Sequence, residues 1–211
     1  MKKLIIASSI LLFLFACKKD NDLFKVSTLH NKEQIIEIKT QFGDMYIWLY
    51  DATPLHKENF LKLASEDYYD STTFHRVISG FMAQGGDPNS KDADPTNDGS
   101  GGPGYTVPAE IRDSINHERG ALAAARTNNP AKASSGSQFY ICHSTSGTAG
   151  LDGNYTVYGM VMQGIEVVDS LVIQPKDASN NRPLTDIVMD VNVLNKTLEE
   201  ISSEYGYVPR Y

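Results

Sequence analysis

The sequence predicts a mainly β protein with two helices, folded as a closed β-barrel that carries the helices at its ends. Three observations lead there. Apolar and polar residues alternate on both sides of Gly43-Asp44, the period of two strands paired about a turn. Several later apolar segments are short and bounded by glycine or polar clusters, which suits strands. Only two stretches have helical spacing, and closure of many short strands removes the exposed sheet edges they would otherwise leave.

In chain order, Ile36 and Ile38, then Met45, Ile47 and Leu49, make the first hairpin. Thr53-Pro54 opens a helix, with Thr53 a cap candidate and Pro54 suited to the first turn. Leu55, Phe60, Leu61, Leu63 and Ala64 form its buried stripe. Tyr68-Tyr69-Asp70 begins a loop that leads into Thr73–Ile78. Residues 85–104 are rich in Gly, Pro, Asp, Asn and Ser and read as a long surface loop. Ala121–Ala125, Gln138–Cys142 and Thr156–Met162 read as strands, Ile165–Leu171 as the second helix and Pro183–Val193 as a closing strand. There is no internal repeat.

With 211 residues, 41% apolar and 21% charged, the chain has the balance of one ordinary globular domain able to bury a core without disulfides. Nineteen basic against 26 acidic residues give a net charge of −7. That argues against nucleic acid held on a general basic surface. Two cysteines make neither a disulfide framework nor a four-thiolate metal site.

The N-terminus reads as an address. Lys2 and Lys3 precede an apolar run from Leu4 to Ala16, too short to span a bilayer comfortably. The run ends Leu14-Phe15-Ala16-Cys17 and resembles a bacterial lipobox, in which a small residue precedes a cysteine that is lipidated and becomes the new N-terminus. Residues 1–16 are therefore expected to be a lipoprotein signal peptide, Cys17 the lipidation site and residues 17–32 a polar tether. Cleavage would remove Lys2 and Lys3 and take the net charge from −7 to −9. Cys142, in the apolar run Phe139-Tyr140-Ile141-Cys142, reads as a packed strand residue, not a nucleophile.

Three segments carry chemistry: Phe74-His75-Arg76-Val77-Ile78-Ser79-Gly80-Phe81-Met82-Ala83-Gln84-Gly85-Gly86-Asp87, then Ser135-Gly136-Ser137-Gln138-Phe139-Tyr140-Ile141, then Leu151-Asp152-Gly153-Asn154-Tyr155-Thr156-Val157-Tyr158-Gly159. In this order and spacing they resemble the cyclophilin family of peptidyl-prolyl cis-trans isomerases, over roughly residues 33–195. The resemblance implies a closed eight-stranded antiparallel barrel capped by helices, a tail from 196 to 211, and rotation of X–Pro bonds without metal or cofactor. Together with the N-terminal address it leads to the expectation of a monomer acting on proline-containing segments of exported proteins, anchored by lipid to an envelope membrane on the periplasmic face or in the outer membrane. Arg76 matches the family's catalytic arginine and Gln84 the polar partner that positions it. Phe81, Met82, Tyr140, Leu151 and Tyr155 match pocket positions, Gln138 a second polar contact, and Ala125 with the backbone of Arg126 the strand that hydrogen-bonds the substrate main chain.

The chemistry suits those residue types. Amide resonance sets a barrier of about 18–20 kcal/mol to rotation. In the twisted state the prolyl nitrogen regains its lone pair and accepts a hydrogen bond, so a fixed donor beside an apolar pocket favours that state selectively. A guanidinium stays charged and offers rigid donors. Tyr140 stands where the family commonly has phenylalanine, Gly150 where many members have tryptophan, Tyr155 where many have histidine and Arg126 where many have asparagine. The missing tryptophan is expected to weaken cyclosporin binding. Phe81 and Met82 would face opposite sides of a strand, so both can reach the pocket only with a local irregularity near Gly80. Alternatives on the same fold are a non-catalytic proline-peptide chaperone, or an envelope scaffold using the long loop or the tail.

Other signals are weaker. The five histidines lack metal-ligand spacing, and His75 reads as a structural hydrogen-bonding residue. Asp92, Asp94 and Asp98-Gly99 hint at a calcium loop whose closing glutamate is missing near Tyr105. Residues 99–104 lack the Lys-Ser/Thr of a phosphate loop. Ser144 lacks a nucleophile-elbow context. Glu199 to Glu204 reads as a solvated face or a fraying helix.

Overall fold

The computed structural model describes residues 32–210. Up to residue 31, the segments expected to be signal peptide and tether, with Cys17, lie outside the described residues. The elements are β1 (Lys32–Thr40), β2 (Gly43–Leu49), α1 (Pro54–Ser65), β3 (Thr72–Thr73), β4 (Arg76–Ile78), β5 (Met82–Gly85), β6 (Thr106–Val107), β7 (Ala121–Ala124), β8 (Ser134–Ser135), β9 (Phe139–Cys142), β10 (Val157–Gln163), α2 (Ile165–Val172), β11 (Val188–Thr197) and α3 (Leu198–Tyr205). Short 3-10 turns at Pro88–Lys91 and Ala149–Leu151 punctuate the loops.

The sheet departs from the closed eight-stranded barrel expected above. Nine strands in the order β3-β11-β1-β2-β10-β7-β9-β5-β4 form one open, strongly curled antiparallel half-barrel, with β6 and β8 as a separate ribbon. The edge strands β3 and β4 are two and three residues long and do not pair with each other. Phe74 and His75, both buried, separate them along the chain, and the Phe74 and Val77 N–H groups donate to the Ile187 and Asn181 carbonyls instead. The ladder therefore has no residues left with which to close.

The first hairpin pairs Ile36 with Ile47 and Ile38 with Met45. Its turn falls at Gln41-Phe42, just before Gly43. Gly43 has φ +124, a region only glycine enters freely, and a Cβ there would stand 3.1 Å from Val167 Cγ2. The closing strand starts at Val188, later than expected. Pro183 forms only an isolated bridge with Lys176, because proline has no N–H to give a ladder.

The period of two along the strands builds two cores on opposite faces of the sheet. Phe139 and Ile141 of β9 join Ile36, Ile38, Leu122 and the inner faces of α1 and α2. Tyr140 and Cys142 join Trp48, Met82, Ala121 and Ala123 on the other face. Cys142 is fully buried and burial pushes its thiol up to about 11, so it is packing material, as its apolar surroundings predicted.

Helix starts show where local rules yield to tertiary contacts. Thr53 does not cap α1; its hydroxyl donates to the Tyr50 carbonyl. The Glu110 carboxylate caps the helix from a distance, accepting the Leu55 N–H at 3.1 Å and the His56 N–H at 2.9 Å. It also accepts His56 Nδ1–H at 2.7 Å, which leaves His56 Nε2 to accept from the Ser134 hydroxyl at 3.0 Å. This buried anchor turns His56 inward and leaves Leu55, expected in the buried stripe, 46% exposed. At the other end of the chain Thr197 and Glu200 form a reciprocal capping box on α3. Ile201 is fully buried and the Tyr46 and Tyr205 rings lie 4.9 Å apart. The acidic segment, read as a solvated face or a fraying helix, is thus a capped helix docked through Ile201 with Glu199 and Glu204 on its exposed face.

His75 also departs from expectation. It is buried, yet neither ring nitrogen has a hydrogen-bond partner of good geometry among the described residues. The nearby carboxylates are engaged elsewhere: Asp98 with Arg182 at 2.6 Å, Asp87 with the Asn89 and Gly101 N–H groups. Burial lowers the pKa of His56, His75 and His117 below the ordinary value of 6.5. The unfolded chain therefore binds protons first as pH falls through 6.5, and folding stability drops in that window. Each histidine contributes up to about 1.4 kcal/mol per pH unit. Urea unfolding at pH 7.5 and pH 5.5 is expected to give a clearly lower midpoint at the acid value. An unchanged midpoint contradicts the assignment.

Candidate active site

The hairpin β4–β5 sets Arg76 opposite Gln84, Val77 opposite Ala83 and Ile78 opposite Met82. Gly80, at φ +76, makes the reversal, and the Phe81 N–H closes it on the Ile78 carbonyl. Phe81 therefore lies in the turn while Met82 begins β5. This is the irregularity that lets adjacent residues reach one cavity. β5 in turn pairs Gln84 with Tyr140 of β9, and β9 pairs Tyr140 with Ala123 of β7. Residues paired across antiparallel strands share a face, so Arg76, Gln84 and Tyr140 are brought to one side of the sheet by register alone.

There a cavity of about 130 Å³ is lined by Arg76, Phe81, Met82, Gln84, Ala125, Arg126, Tyr140, Leu151 and Tyr155. These are nine of the ten pocket residues singled out in the sequence. The tenth, Gln138, sits one hydrogen bond away. Cys17 lies outside the described residues. A Cβ on Gly150, which precedes Leu151, would meet nothing within 4 Å, so this position faces open space.

A directed chain of amides fixes Arg76. The Gly99 and Gly101 carbonyls accept the two Gln138 Nε2–H bonds at 3.0 and 2.8 Å. Gln138 Oε1 is thereby turned to accept from Gln84 Nε2 at 3.1 Å. Gln84 Oε1 then accepts from Arg76 Nη1 at 3.2 Å. Each amide orientation follows from the one before it. The long loop is thus tied to the guanidinium through two side chains, a function its composition did not suggest. Within that loop Asp92 and Asp94 accept the Asp94 and Thr96 N–H groups. No group of three His, Cys, Asp or Glu side chains that could hold a metal occurs among the described residues.

Behind the cavity lies a second chain. Asp152 Oδ1 accepts both the His117 N–H at 2.9 Å and His117 Nδ1–H at 2.6 Å. That assigns the proton to Nδ1, so Nε2 accepts the Tyr140 hydroxyl at 2.9 Å. The His117 and Tyr140 rings are nearly parallel, 6.0 Å apart, and Tyr155 meets both edge-on. The Tyr140 phenol therefore points its hydroxyl into a buried acceptor and presents carbon to the cavity. His117 and Asp152 were not among the sequence candidates. Spacing along the chain gives His117 no metal partner and Asp152 no partner at all, because their contact joins segments 35 residues apart.

Replacing His117 by Phe strands that hydroxyl, and is expected to cost about 1–3 kcal/mol of stability. If the stranded hydroxyl is the cause, the same replacement made in a Tyr140→Phe background costs much less. Chemical denaturation of the four proteins of this cycle measures the coupling, and purely additive losses contradict it.

The cavity opens onto a groove of about 740 Å³ that shares Gln84, Ala125 and Arg126 with it. Here the Ala125 N–H donates to Gln138 and its carbonyl accepts from Ser135. No main-chain bond engages the N–H or C=O of Arg126 among the described residues, leaving a short free edge on which an extended peptide can pair. The Arg126 guanidinium lies 4.6 Å from the Tyr155 ring centre, with Nε donating to the Asn154 carbonyl at 2.9 Å and Nη1 to the Thr127 carbonyl at 3.1 Å.

Comparison with known proteins identifies the family around this cavity. The model of the cyclophilin type peptidyl-prolyl cis-trans isomerase/CLD family matches residues 35–193. Peptidyl-prolyl cis-trans isomerase CYP18-1 of Arabidopsis thaliana is 38% identical over 157 residues, which are 72% of this chain and 90% of the relative. Peptidyl-prolyl cis-trans isomerase B of Bacillus subtilis is 42% identical over 122 residues, 57% of this chain and 77% of the relative. The crystal structure of a Cryptosporidium parvum cyclophilin type peptidyl-prolyl cis-trans isomerase superposes with a TM-score of 0.67 at 32% identity, covering 77% of this chain and 98% of that one.

Proposed function

The chain belongs to the cyclophilin-type peptidyl-prolyl cis-trans isomerases, and we propose that it rotates X–Pro bonds with Arg76 as the donor to the prolyl nitrogen. The carrying observation is that Arg76, oriented through Gln84 and Gln138, lines the same cavity as Phe81, Met82, Leu151 and Tyr140. The proline ring enters between Phe81, Met82, Leu151 and the carbon face of Tyr140. The main chain beside it pairs with the free edge at Arg126. As the imide bond twists, amide resonance is lost and the nitrogen becomes an acceptor. Arg76 then donates to it, a bond the planar ground state cannot make, so the interaction lowers the barrier and does not merely tighten binding. The relative's crystal structure determined in the presence of the dipeptide Ala-Pro supports proline peptides as the ligand class. Magnetisation exchange between the cis and trans forms of a proline peptide, with and without the protein, tests the activity. Exchange no faster than in the peptide alone contradicts it.

The setting belongs to the same proposal. Lys2-Lys3, the apolar run and Ala16-Cys17 support export, cleavage before Cys17 and lipidation of its thiol. The enzyme would then work on exported chains from a membrane surface, as a monomer on a polar tether. Mass spectrometry of the N-terminal peptide from the native host is expected to find a diacylglyceryl group on Cys17, and Cys17→Ser is expected to move the protein out of the membrane fraction. An unmodified Cys17 would overturn the anchor while leaving the isomerase reading intact.

A further inference from the structure

The site carries a charge pattern at odds with the molecule around it. The chain as a whole is acidic, at −7. The proline cavity and the adjoining groove nevertheless have no Asp or Glu among the described residues that line them, and each is bordered by Arg126, with Arg76 on the cavity. Among the described residues the arginine–carboxylate pairs are those of Arg119 and Arg182, so neither Arg76 nor Arg126 is neutralised by a partner.

Arg126 is also held in place. The Tyr155 ring and the Asn154 and Thr127 carbonyls use one face of the guanidinium, its Nε–H and one Nη1–H, none of which cancels its charge. The N–H groups of Nη2 have no acceptor among the described residues. A guanidinium that is pre-oriented, partly sheltered from water and short of an anion favours a carboxylate ligand and disfavours an ammonium one. The main chain of the same residue is the free edge on which a substrate would pair, so the side chains flanking the proline pass within reach of it.

We infer that Arg126 makes this isomerase selective for proline segments carrying an acidic side chain within two residues of the proline. The inference rests on the proposed function of the site. It runs against the field of the whole molecule, which on its own would favour basic peptides, so an observed acidic preference must come from the groove.

The test uses a set of short proline peptides with Glu, Ala or Lys at each of the two positions before and the two after the proline. Affinity by calorimetry and exchange rate by NMR are measured for the wild type, Arg126→Gln and Arg126→Lys, at low and high salt. The wild type is expected to prefer Glu over Lys at least fivefold in at least one position. The preference should shrink with added salt, fall below twofold in Arg126→Gln and survive in part in Arg126→Lys. Ratios within twofold at all four positions in the wild type overturn the inference, as does a preference that Arg126→Gln leaves unchanged. Turnover of the Ala peptides without any charge preference sinks this inference alone. Binding without turnover sinks the isomerase reading, while the affinity ratios still decide the role of Arg126.

Discussion

Replacing Arg76 by Ala is expected to lower kcat/KM for a proline peptide by about a hundred- to a thousandfold, the usual consequence of removing one pre-oriented donor to a transition state. The fold is expected to persist. Arg76 is half-buried on the three-residue edge strand β4, makes no ion pair and bonds only to Gln84 among the described side chains. Its removal leaves Gln84 with a solvent-accessible acceptor and no buried orphan, so stability should change by less than about 1 kcal/mol. Far-UV circular dichroism and thermal melting of the variant separate lost chemistry from lost structure. A variant that is folded and fully active would remove Arg76 from the mechanism.

Phe139→Ala is expected to have the largest effect on stability, a loss of about 3–5 kcal/mol. Phe139 is fully buried and meets Phe60, Tyr69 and Phe74 edge-on, with ring centres 5.5, 5.9 and 6.1 Å away. These partners come from α1, the turn after it and the β3–β4 junction, so no single element can move to fill the hole. A Cβ on Gly86 would already stand 2.9 Å from the Phe139 ring, which shows how closely the backbone packs there. Against a total stability of about 5–15 kcal/mol, the loss is a large fraction, and the midpoint of thermal unfolding should fall by roughly 6–20 °C. A fall of only a degree or two would mean that the core relaxes in a way this packing does not allow.

Much of this was legible in the residues. Period-two alternation located β1 and β2, and the aromatic and apolar runs located β7, β9 and β10. Nine of the ten pocket residues named from the motifs line one cavity. Features set by long-range partners were not legible. Thr53 precedes a helix as a cap should, but Glu110, more than fifty residues away, takes that role. The choice of an open sheet depends on how β3 and β4 spend their few hydrogen bonds, which no local pattern encodes. His117 gave no signal because its meaning lies in Asp152 and Tyr140 on either side of it. The loop glycines 99 and 101 act through their carbonyl oxygens, which every residue has, so their composition said only "loop".

In the proposed mechanism Arg76 acts on the twisted imide and not on the resting peptide. Affinity and cis–trans exchange for one proline peptide, followed in the same NMR titration with wild type and Arg76→Ala, separate the two. Dissociation constants within about threefold of each other are expected, with catalysed exchange slower by about two orders of magnitude or more in the variant. Affinity and exchange falling together, with the bound peptide still interconverting at the wild-type rate, would contradict it.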